Sequence, residues 1–346
     1  MKELRLHLPP IARTDLRGFA KWFGLCTLVG ALSGLAGAAF VSVVSHLHTY
    51  CLEAPFGVRL GRPAVPSGPV EDAPVAGTPS LPIGLLPIVP ALDGIAVALL
   101  ARWLGRGLCG GGTDTVLKAY HLRQGSIPWR VPFGKWLASA ITIGTGGSAG
   151  REGPMMLVGG GLGSVLAKWF GLGERERRLL LLAGAGAGVG AVFRIPFGSA
   201  IFAIEVLHSD GFEEEGIFPC LVASVSGYSA FIAVHGTGHL FDIPSLPAFG
   251  LLATSLFALV GLAVVPFGYS FTLLLRTIPK WLERFRLSRW AQPGVGGLAV
   301  GALGLLHPEL LGIGYGWAQQ VLTFDVPQVG RLDFAGLCLH RLNSFG

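Results

Sequence analysis

An all-α protein that crosses the bilayer several times is the fold class this sequence predicts, and three observations predict it. Of 346 residues only 13% are charged, 26 Lys or Arg and 20 Asp or Glu, against 51% hydrophobic. A soluble domain carries about 25% charged residues, and a disordered chain cannot be this apolar. Several uncharged runs are as long as a bilayer crossing or longer. Glycine contributes 53 residues, about twice its usual share, with no collagen-like period. The net charge of +6 reflects scarce acids rather than basic tracts, so no Lys/Arg block exists to grip nucleic acid. Cys26, Cys51, Cys109, Cys220 and Cys338 show no CxxC or CxxH spacing, which argues against a disulfide frame or a metal cage.

Residues 1–17 form a basic N-terminal segment. The uncharged run 22–45 follows, 24 residues long and about 36 Å as helix, enough for the roughly 30 Å hydrocarbon core. It is too long for a signal-peptide core and is expected to be retained. A Pro-rich loop, 53–80, with few bases leads to a second apolar region, 81–100. The segments 153–167 and 179–193 are 15 residues each and 195–204 is 10. Such pieces are too short to cross alone and are read as half-helices meeting around a site. The run 243–275, 33 residues, demands a strongly tilted helix or an interruption near Pro266. Lys and Arg cluster before the first span (Lys2, Arg5, Arg13, Arg17, Lys21), after the second (Arg102, Arg106, Lys118), between the short segments (Arg175, Arg177, Arg178) and after the long run (Arg276, Lys280, Arg284). The positive-inside rule therefore places the N-terminus in the cytoplasm and the Pro-rich loop outside.

The stretch that carries chemistry is Gly144-Thr145-Gly146-Gly147-Ser148-Ala149-Gly150-Arg151-Glu152-Gly153-Pro154. Pro154 suits the first turn of a helix. The N–H groups around Gly150, Arg151, Glu152 and Gly153 then gather at the positive end of a helix dipole, an anion site made of backbone. Glu152 lies at the same point. An acid inside a membrane is expensive unless paired, protonated or wet, which marks it as functional; it can occupy the anion site and leave on protonation. The alternative is a structural ion pair with Arg151. Cys109-Gly110-Gly111-Gly112-Thr113-Asp114 repeats the logic ahead of a short amphipathic helix. The stretch 192–206 reads as two helices broken at Arg194-Ile195-Pro196.

In this order the three stretches resemble the CLC family of voltage-gated chloride channels and chloride–proton antiporters. Gly150-Arg151-Glu152-Gly153-Pro154 matches the family's GREGP motif, and 183–206 matches the following helix pair; the likeness runs over about 18–315. The resemblance implies an inverted repeat whose broken helices aim their N-termini at anions in mid-membrane. It implies Glu152 as the gate and backbone amides at Gly111, Gly112, Thr113, Gly150, Arg151, Glu152 and Gly153 as anion ligands. Three departures follow. The family's GSGIP motif falls on 110–114, so Gly111 stands where a chloride-binding serine would be. The position of the inner proton glutamate holds Val206; Glu205, one earlier, faces about 100° away on a helix. The family's later GxFxP motif, its tyrosine ligand and much of its dimer interface do not appear, and 334–346 loses membrane character.

Other signals weigh less. The glycines at 184, 186, 188 and 190 fit a nucleotide loop only superficially, and small residues four apart (Ala183, Ala187, Ala191; Gly184, Gly188) read better as a helix-packing face. Ser148 as a protease nucleophile lacks a histidine nearby in sequence. His208 with Asp210, Glu213, Glu214 and Glu215 reads as an acidic cytoplasmic turn rather than a cation site. Tyr315 precedes the absent helices, which argues against it as the chloride tyrosine. The expectation is thus a first repeat half at 18–242 and a partial second half at 243–346 in the plasma (inner) membrane. The resemblance implies a chain that is not an enzyme, needs no cofactor, and passes chloride or similar small anions passively. A chloride–proton antiporter and a non-transporting fragment acting as an assembly partner are the alternatives. Its partners are small anions and membrane lipid; the resemblance adds a homodimer, though later interface helices are missing.

Overall fold

The computed structural model describes residues 16–58, 80–105, 110–207, 214–243, 250–284, 288 and 291–323. Among them the ordered structure is helical throughout. The principal helices are α1 (Leu16–His48), α2 (Ala54–Phe56), α3 (Ile88–Leu104), α4 (Gly112–Leu122), α5 (Arg130–Gly144), α6 (Glu152–Trp169), α7 (Glu174–Phe193), α8 (Pro196–Leu207), α9 (Glu214–His235), α10 (Leu251–Arg284), α11 (Ala291–Leu306) and α12 (Tyr315–Thr323). Four helical stretches, 18–56, 83–104, 215–235 and 254–281, are long and apolar enough to cross a membrane. Most of the Pro-rich loop, Cys109, His208, Asp210, Glu213 and the segment 334–346 with Cys338 lie outside the described residues.

α7 is the centre. Every residue from Leu179 to Val192 on it is buried, and it packs against α6, α9, α1 and α8. Glycine makes this possible. A Cβ on Gly159 would sit 2.0 Å from the Gly184 carbonyl oxygen, one on Gly163 2.1 Å from Leu180 O, and one on Gly188 2.3 Å from Met155 O. The contacts advance along α6 as they retreat along α7, so the two run antiparallel at backbone distance. Of the small residues anticipated on α7, Gly184 and Gly188 form this seam, while Ala187 faces Gly227 of α9 and Ala191 faces Gly37 of α1. α1 and α9 meet the same way through Gly30 and Gly34, and α3 and α11 through Gly94 and Gly297.

One expectation changes. The apolar pieces 153–167 and 179–193 belong to helices of 18 and 20 residues, about 27 and 30 Å long. Helix propagation does not stop where apolar residues do: the Glu176 carboxylate accepts a hydrogen bond from the Gly173 N–H at 2.9 Å, so α7 begins among its charged residues. For the long run, where a tilted helix or a break near Pro266 was open, the helix has no break. α10 runs 34 residues through Pro266 and Pro279, about 51 Å, and the Ser270 hydroxyl donates to Pro266 O at 2.7 Å, the bond to the carbonyl four residues back that Ser and Thr make within helices. Every described side chain of α10 is exposed. The break at 194–196 is present: Arg194 adopts φ 59°, ψ 34° and ends α7, and Pro196 opens α8, 12 residues long and too short to cross at about 18 Å.

Candidate anion site at converging helix starts

α5 ends at Gly144, and the chain turns through Gly146 at φ 96°, with the Gly147 N–H donating to Thr142 O at 2.7 Å. Arg151 is the N-cap of α6, Glu152 its first residue, and the Met155 N–H donates to Arg151 O at 3.1 Å. The N–H groups of the first turn, Glu152 and Gly153 among them, therefore have no acceptor within the helix.

A second helix start abuts this one. Gly111, extended at φ −68°, ψ 140°, caps α4, and a Cβ on Gly112 would fall 1.9 Å from the Gly153 carbonyl oxygen and 3.0 Å from Pro154 N. Only glycine permits backbone to meet backbone here. Lys135 holds the approach by donating its Nζ to Gly110 O at 2.8 Å. Gly111, Gly112 and Thr113 are thus brought beside Glu152 and Gly153, with two positive helix ends at one place. Such an arrangement stabilises an anion without a basic side chain.

The two charged residues of the motif part company. Arg151 is 6% exposed, with its guanidinium 5.3 Å from the Phe193 ring centroid and 4.7 Å from that of Tyr315; its Nε and one Nη have no hydrogen-bond partner. Glu152 is exposed. Its carboxylate bends back over Gly150, where a Cβ would meet Oε2, and Oε1 lies 3.4 Å from the Tyr315 hydroxyl. The acid is therefore at a helix start on the accessible side, with a tyrosine for a neighbour.

Tyr315 is the residue sequence reasoning set aside. It lies 163 positions from Glu152, and the signal for it was the glycine-flanked aromatic Gly312-Ile313-Gly314-Tyr315 ahead of a helix. Val206 is half-buried against the main core, while Glu205 is exposed.

Comparison with known proteins places this geometry. The profile described as "Voltage gated chloride channel" matches residues 94–339. A "Chloride/fluoride channel protein" of Pseudomonas syringae pv. tomato is 27% identical over 336 residues, which are 94% of this chain and 67% of that protein. An "H(+)/Cl(-) exchange transporter ClcA" of Cronobacter sakazakii is 27% identical over 299 residues, 84% of this chain and 60% of that one. The crystal structure of a slow cyanobacterial Cl−/H+ antiporter superposes with a TM-score of 0.72 at 20% identity, over 88% of this chain and 68% of the other; at that identity the likeness is one of fold. The chain spans 60 to 68% of the length of these three proteins. With a profile match over more than half of its residues and the same all-helical fold, this membrane chain belongs to the voltage gated chloride channel (CLC) family.

Proposed function

We propose that the chain passes chloride or similar small anions passively across the plasma (inner) membrane, with Glu152 as the gate. The observation that carries this reading is the backbone contact of Gly112 with Gly153, which sets two helix N-termini side by side next to an exposed carboxylate. Amides of Gly111, Gly112, Thr113, Gly150, Arg151, Glu152 and Gly153 are the proposed ligands. When ionised, the Glu152 carboxylate competes for their positive ends; when protonated, it yields them to the anion. Residues 1–17 are assigned to the cytoplasm, 18–242 to the first repeat half with 53–80 outside, and 243–346 to part of the second.

A proton-coupled exchanger is the second reading, favoured by the name of the Cronobacter relative. Val206 opposes it, since an alkyl side chain at the inner position holds no proton. Purified protein in liposomes decides between them: chloride efflux without proton uptake is expected, and stoichiometric proton movement would remove the passive assignment.

A further inference from the structure

Tyr315 stands where two distant parts of the chain meet. It opens α12 after Gly312 and Gly314, at φ 73° and 81°, and the segment is fixed to the loop before α6 by the Gly312 N–H donating to Gly146 O at 3.1 Å. The ring is enclosed by Phe193 at 6.3 Å and Phe241 at 5.8 Å, both edge-on, and by the Arg151 guanidinium at 4.7 Å. α12 is pinned to the stretch carrying Phe241 as well: the Gln319 side chain donates to Asp242 O and accepts from its N–H, both at 2.8 Å. Packing thus sets where the hydroxyl points, and it points at Glu152 Oε1.

A phenol held this way is a ready donor to a carboxylate, and an ionised acceptor makes a stronger bond than a protonated one. At 3.4 Å on an exposed side chain, the bond is weak enough to be broken and remade. The Arg151 guanidinium, against two rings, also faces the Tyr315 oxygen; having only donors, it leaves the phenol proton for the carboxylate.

We propose that Tyr315 is the positioning residue of the gate: its hydroxyl donates to ionised Glu152 and holds it at the start of α6, so that an anion takes that place only when the bond is given up. This rests on the reading of Glu152 as the gate. It also makes the gate sensitive to the second part of the chain, because any shift of α12 on the loop before α6 moves the donor.

The test is a double-mutant cycle read by calorimetric titration of the purified protein with sodium chloride at neutral pH. Tyr315→Phe keeps the ring over Arg151 and removes only the hydroxyl. E152Q alone is expected to bind chloride more tightly than wild type. Tyr315→Phe is expected to tighten binding about threefold, the scale of one modest hydrogen bond, and to change nothing in the E152Q background. Unchanged affinity in Tyr315→Phe, with E152Q tightened, would overturn the role of Tyr315 while leaving the gate intact. Weakening by Tyr315→Phe in both backgrounds would make the hydroxyl an anion ligand and overturn it too. E152Q indistinguishable from wild type, or no chloride binding in any of the four proteins, would remove the gate itself and this inference with it.

Discussion

At the scale of single residues, the site depends on atoms that are absent. Gly112 has no room for a methyl group against Gly153 O, so Gly112→Ala must push α4 from α6 or strain both. A loss of about 1–3 kcal/mol is expected, seen as a lower unfolding temperature in detergent together with weakened chloride binding. Gly24→Ala on α1, where nothing lies within 4 Å, is the control; it should be neutral or stabilising by up to about 1 kcal/mol. Glu152→Gln carries the gate prediction: flux into liposomes rises and its pH dependence flattens, because the amide imitates the protonated acid at every pH. An unchanged pH profile would exclude Glu152 as the gate. The place of Glu152 at the start of α6 was legible in the sequence because Pro154 suits a helix's first turn. Tyr315 was not, since the glycine-flanked aromatic at 312–315 marks a turn before a helix but does not say that it meets residue 152, 163 positions away.

At the scale of elements, breaks in the backbone were easier to read than helix lengths. Arg194-Ile195-Pro196 declares itself, because proline disfavours helix in the residue before it and opens a new one well. The lengths of α6 and α7 were underestimated because apolar runs mark what is buried rather than where hydrogen bonding ends. For α10 the sequence left a tilted helix or a break open, and the helix is continuous through Pro266, its length exceeding the bilayer core as the first option requires. The seam between α6 and α7 gives the matching prediction. Gly159→Ala, with its methyl 2.0 Å from Gly184 O, should destabilise by about 1–3 kcal/mol. Gly261→Ala on α10, with nothing within 4 Å, should not. Thermal unfolding of the two variants side by side is the measurement, and equal midpoints would contradict the packing described here.

At the scale of the molecule, the proposed orientation rests on where Lys and Arg collect. With the native cysteines replaced by serine, a cysteine at the exposed Ser80 should react with an impermeant maleimide on intact cells, and one at the exposed Ser288 only after permeabilisation. The reverse pattern would invert the topology. By itself the sequence determined membrane residence, the helical class, the family resemblance and the place of Glu152 at a helix start, because each depends on composition or on residues adjacent in the chain. The tertiary structure decided which helix starts touch, that Arg151 turns inward while Glu152 faces out, and that Tyr315 meets the acid. Those outcomes depend on how closely glycine-lined helices approach one another, and a linear pattern of residue types does not contain that distance.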